Sequence, residues 1–164
     1  MKKKLEVSGS KTLKLTNVVR VDVQESDFVD LDRIIIMLDN YIKSKGALPI
    51  GPIVQYAAAI ISSEGHATIE ISFLRQSSKY IKEVEIPYIF VPLIRVTDCI
   101  YVSFNGKEED IQYALDKLKL FAYEEDILLA NVQYTVFIDR KDETIIADIF
   151  MEKAIKHKYM EREV

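Results

Sequence analysis

Two carboxylates stand at matching places in this chain. Glu70 lies in Thr68-Ile69-Glu70-Ile71-Ser72 and Asp148 in Ile146-Ala147-Asp148-Ile149-Phe150, 78 residues apart (148 − 70). Brought face to face, two such groups hold a cation or divide the work of general acid and general base. Their surroundings differ. Thr68 and Ser72 flank Glu70 on its own strand face, which predicts solvent there. Ile146 and Phe150 flank Asp148, which predicts partial burial, and a buried carboxylate needs a partner or a raised pKa. Tyr56 and Tyr134 repeat with the same separation (134 − 56 = 78), each inside an apolar run. A tyrosine in that setting buries its ring and still requires a partner for its hydroxyl. A backbone carbonyl supplies one in an ordinary core, and a polar group supplies one in a ligand cavity.

Other reactive patterns are missing. Ser62-Ser63-Glu64-Gly65-His66 gathers the residue types of a nucleophilic triad, but polar hairpin turns have this composition and a triad is defined by geometry. The second histidine, His157, stands in a charged tail. No Cys/His/carboxylate group has metal-ligand spacing, and no phosphate-cradling loop occurs among the five glycines. No metal and no cofactor is expected. Cys99 is the single cysteine, which excludes an internal disulfide and fits a reducing, cytoplasmic setting for a small core residue.

The positioning elements follow from periodicity. Residues 18–24 alternate with period 2, as a half-buried strand does. Asp27 and Asp30 offer N-caps to a helix carrying Ile34, Ile35, Leu38, Tyr41 and Ile42, which runs to about Lys45 and stops at Gly46. Pro49-Ile50-Gly51-Pro52 predicts a turn. A strand at 53–61, a hairpin loop at Ser62-Ser63-Glu64-Gly65 and an alternating strand at 67–73 complete a β-α-β-β unit. The same order recurs: a strand at 97–104, an Asn105-Gly106 turn, a helix from about Lys107 to Glu124, then strands at 132–138 and 144–151. Between the units, residues 80–94 carry Pro87, Pro92, Tyr80, Tyr88 and Phe90, an aromatic connector expected to pack against the molecule. The fold class is therefore α+β: duplicated β-α-β-β units with pseudo-two-fold symmetry, an antiparallel sheet with helices on one face, and a central cleft. The boundaries read as an N-terminal extension at 1–16, a domain at 17–152 (repeats at about 17–76 and 95–152, linker strand at 80–94) and a charged tail at 153–164.

The bulk numbers exclude several classes. A net charge of −4 opposes direct nucleic-acid binding, and Lys2-Lys3-Lys4 is too small a cationic cluster to serve as a footprint. No apolar run reaches the roughly 20 residues that span a bilayer. No apolar segment follows the basic start, so no secretory signal is read.

In order, spacing and repeat, the chain resembles the GyrI-like effector-binding domain, the small-molecule module of many AraC-type and MerR-type bacterial regulators. The residues that carry the likeness are Ile100-Tyr101-Val102-Ser103-Phe104 with its turn and acidic helix start, Asn131-Val132-Gln133-Tyr134 with the closing hairpin through Phe150, and Ile89-Phe90-Val91-Pro92-Leu93 as a linker strand. The resemblance implies a ligand pocket between the repeats. It places the walls at Ile86, Tyr88 and Phe90 on the linker, Phe104 at the end of the fifth strand, and Tyr134 and Val136 on the seventh. The internal repeat adds Tyr56. Glu70 and Asp148 are the polar candidates. Two departures stand out. Tyr134 occupies the place where cation-binding members carry a buried Glu, and Asp98-Cys99 replaces a frequent Gly. No helix-turn-helix is read before the domain, so a stand-alone module is expected.

Three functions follow. The first is a non-enzymatic binder of a small lipophilic or aromatic ligand. The second is an interaction or accessory module of a bacterial regulatory or toxin-type system, meeting a protein partner through its acidic surface or tail. The third is a small hydrolase using Asp148 or Glu70.

Overall fold

The computed structural model describes residues 5–154. Lys2-Lys3-Lys4 and residues 155–164, with His157, lie outside the described residues. Strand β1 spans Val7–Asp22. It therefore takes in residues 7–16, which the sequence presents as an extension. Lys11 and Lys14 disguise an alternation in which Leu13 and Leu15 are the buried positions.

A 3-10 turn at Glu25–Asp27 leads to helix α1, Leu31–Ser44. The Asp30 carboxylate caps it by accepting the Arg33 N–H at 3.2 Å, an interaction worth about 1 kcal/mol. Gly46, at φ +74°, ends it in the left-handed conformation that glycine adopts freely. Strands β2 (Pro49–Ile61) and β3 (Ala67–Ser77) form a hairpin. The expected turn at 49–52 is instead a bulge inside β2: Gly51 sits at φ +70° and the pairing with β3 shifts between Ile50 and Val54.

The linker strand and the strand expected at 97–104 are one element. Strand β4 runs Tyr88–Lys107 without a break. Asp98, at φ +57°, bends it instead of ending it, and the Asn105-Gly106 turn is part of the strand. A 3-10 turn at Glu108–Asp110, helix α2 (Ile111–Glu124), β5 (Leu129–Lys141) and β6 (Thr144–Lys153) follow. The second half thus repeats the order of the first. Even its irregularities match, with Asp126 and Asn131 taking positive φ where the first half has Gly46 and Gly51.

The strands close into a six-membered antiparallel ring, β1-β3-β2-β5-β6-β4, with β4 returning to β1. One face of the ring is covered by the helices. There Val19, Val21 and Phe73 pack on Leu38 and Ile42 of α1, and Ile100, Val102 and Ile149 pack on Ala114 and Leu118 of α2. The opposite, inner face gathers Leu13, Val18, Val54, Leu74, Cys99, Tyr134, Val136 and Phe150. This is the expected α+β class. These inner-face side chains form one cluster, with Tyr56 and Tyr101 only partly buried in it.

Candidate functional site

The inner face carries one row of side chains that crosses the sheet in register. Tyr56 of β2 pairs with Tyr134 of β5, Tyr134 with Phe150 of β6, and Phe150 with Tyr101 of β4. Four aromatic rings therefore lie side by side on four adjacent strands. Tyr56 and Tyr134 meet edge to face, centroids 5.4 Å apart at 61°. Tyr101 and Phe150 are tilted at 5.0 Å. Tyr134 and Phe150 are buried, while Tyr56 and Tyr101 at the ends are half-buried. Cations cover both ends: the Arg20 guanidinium stands 5.5 Å from the Tyr56 ring and the Lys11 ammonium 5.7 Å from the Tyr101 ring.

The row continues past Tyr56 as polar groups. Ser72 of β3 pairs with Tyr56, and Asp22 of β1 with Ser72. The Ser72 hydroxyl donates to the Asp22 carboxylate at 2.6 Å, and Arg20 Nε donates to the same oxygen at 2.7 Å. Burial acts to raise the Asp22 pKa, but these two donors outweigh it and hold the carboxyl below its ordinary value. Burial pushes the Tyr134 hydroxyl up to about 12. It also raises Tyr56, which Arg20 opposes and the Glu70, Glu152 and Asp22 carboxylates reinforce. Tyr101 rises through burial and through the Asp148 carboxylate beside it.

The structure brings Tyr56, Tyr134 and Val136 together on the inner face. It separates them from the other residues assigned to the pocket walls. Tyr88 and Phe90 point to the helix-covered face, because their partners Val21 and Val19 lie under α1. Tyr88 stacks on Tyr41 of that helix at 3.9 Å. Phe104 is buried against α2. Ile86 is 97 % exposed, before β4 begins. Successive strand residues face opposite ways, so a slip of one residue transfers every wall position to the wrong side. On β4 the apolar inner-face positions are Val91, Ile94, Val96, Cys99 and Tyr101.

Glu70 and Asp148 do not face each other. Asp148 belongs to the row Ser103-Asp148-Val136-Val54, on one side of the aromatic row. Glu70 belongs to the row Glu70-Ala58-Val132, on the other side. Glu70 is exposed and Asp148 half-buried, in the order their flanking residues predict. Tyr101, Phe150, Arg20 and Asp22 complete the site without having been singled out as wall residues. For Phe150 a signal existed, since it shares a strand face with Asp148. For the others the decisive fact is cross-strand register. Among the described residues no group of three or more His, Cys, Asp or Glu could hold a metal ion. Nor is any helix among them long and apolar enough to cross a membrane.

No protein-family model matches the chain, and no curated protein matches it by sequence. Solved structures do share its architecture. The C-terminal domain of EcmrR matches with a TM-score of 0.65 at 15 % identity, covering 92 % of this chain and 98 % of that one. The fold is similar to that of the EcmrR C-terminal domain. EcmrR in its complex with DNA gives 0.63 at 14 % identity, over 91 % of this chain and 57 % of that one, so this chain spans little more than half of it. A hydrolase encoded by lin2189 from Listeria innocua gives 0.56 at 9 % identity, over 88 % and 91 %. At these identities the likeness is one of fold.

Proposed function

We propose that this chain is a non-enzymatic effector-binding module of the GyrI-like kind, which takes a small lipophilic or aromatic ligand against the inner-face aromatic row. The observation that carries this is the register itself. Tyr56, Tyr134, Phe150 and Tyr101 stand in one cross-strand row as two ring pairs, and Tyr56 and Tyr101 at its ends are half-buried. Pockets built of aromatic walls with a few polar groups are the usual form of small-molecule sites. Arg20, Asp22 and Ser72 supply the polar groups at one end, Ser103 and Asp148 at the other.

The test is thermal stability against a panel of lipophilic cations, aromatic dyes and small metabolites. A ligand at about 100 times its Kd stabilises by roughly 2.7 kcal/mol, a shift of a few degrees at this size. The shift is expected to shrink in Tyr56→Ala or Tyr101→Ala. A ligand that stabilises all three proteins equally overturns the site.

A second reading rests on Asp148 beside Tyr101, a carboxylate and hydroxyl able to polarise a bound water. It predicts ester or amide turnover that Asp148→Asn abolishes, and a wild-type chain inert toward such substrates removes it.

A further inference from the structure

The two repeats are unequal at one edge. Strand β4 pairs with β6 along Ile100–Lys107. Its counterpart β1 pairs with β3 only from Val18 to Asp22. One more bond follows, from the Val23 N–H to the Ile71 carbonyl at 2.9 Å, and the chain then turns away at Glu25–Asp27. The repeat offset carries Ile145, Ala147 and Ile149 of β6 onto Ala67, Ile69 and Ile71 of β3. In the second half those positions are covered by Gly106, Phe104 and Val102. In the first half Ala67 and Ile69 have β2 on one side and a cavity of about 660 Å³ on the other. Since the Ile71 carbonyl points toward β1, backbone alternation aims the N–H and C=O groups of Ile69 and Ala67 into that cavity.

We propose that this open edge of β3 receives an extended segment of another polypeptide, adding to the sheet where β4 adds to β6. Main-chain bonds to Ile69 and Ala67 supply the register, as in other cases of strand addition. The second half sets the length, that of Ser103–Lys107. The two walls of the cavity set the chemistry. On the inner side stand Asp22 and Glu70, with Glu25 on the rim and a single cation, Arg20, already tied to Asp22. On the outer side stand Phe28 and Ile69, the latter 63 % exposed. An occupant whose side chains alternate basic and apolar satisfies both walls at once. The edge carries neither a proline nor a lysine of the kind that guards free strands.

The probe is a blocked peptide of alternating Lys and Val carrying a fluorophore, titrated against the full chain by anisotropy. Binding is expected, and Glu70→Lys is expected to weaken it about tenfold or more. Two N-methylated versions separate strand addition from plain charge attraction. Methylation of the amides of one parity abolishes binding and methylation of the other parity leaves it intact. On binding, hydrogen exchange at the Ile69 amide slows. Absence of binding, equal effects of the two methylation patterns, or unchanged exchange at Ile69 each overturns the proposal.

Discussion

Tyr56 and Tyr134 are at once repeat counterparts and cross-strand partners. A residue can pair with its own counterpart only where the axis relating the two repeats passes through the sheet. That axis therefore runs through the β2–β5 seam, between the two rings. The polar end of the row (Asp22, Ser72) and its aromatic end (Tyr101, Phe150) are the two halves' versions of the same positions.

The Tyr134 hydroxyl, with its pKa pushed up to about 12, makes stability fall in alkali. The unfolded chain loses this proton near pH 10 while the folded chain keeps it, so the contribution is complete below pH 10 and is lost as pH rises toward 12. The contribution amounts to roughly 2–3 kcal/mol. Urea midpoints measured from pH 8 to 11.5 are expected to fall less steeply in Tyr134→Phe than in wild type.

Truncating the axis tyrosine itself is a packing experiment. Tyr134 is 9 % exposed, so Tyr134→Ala opens a cavity and costs about 3–5 kcal/mol. Chemical denaturation reads this directly. It is also why half-buried Tyr56 and Tyr101 are the better places to probe ligand affinity.

Tyr88→Ala and Phe90→Ala are expected to leave ligand affinity unchanged while lowering stability. Tyr88 gives up its stack on Tyr41, a loss of roughly 0.5–1.5 kcal/mol. Calorimetric titration with any ligand found in the thermal panel checks the first half of this expectation, and a shifted melting temperature checks the second. Reduced affinity in both variants would move the site to the α1 face.

Asp30→Ala is expected to cost about 1 kcal/mol through loss of the α1 cap, with Asp30→Ser recovering most of it. Thermal melts of the two variants provide the comparison.

The repeat, the element order and the two helices were legible because period 2 and period 3.6 are written locally into the chain. Asp30 and Gly46 announced the ends of α1 for the same reason. Ring closure was not legible, since the pairing of β1 with β4 joins residues far apart in sequence and no local pattern records it. Ile89-Phe90-Val91 is apolar on both faces, so alternation could not say which side Phe90 takes. Asn17 and Asp98 take positive φ, and the β1–β4 register shifts opposite Asp98, between Lys11↔Cys99 and Leu13↔Val96, which resets the alternation along β4. A periodic reading carried through Asp98 comes out on the wrong face, and the resemblance that put Phe104 on the wall had no register to correct it.

A binding surface centred on a two-fold axis would offer a ligand two poses of equal energy, related by a half turn. This one does not, because Asp22 and Ser72 answer Tyr101 and Phe150 across it. On the proposed reading, any preferred pose follows from this inequality between the two halves. Substitutions confined to one half's contribution to the row could therefore reverse the preferred pose while the fold stays as it is.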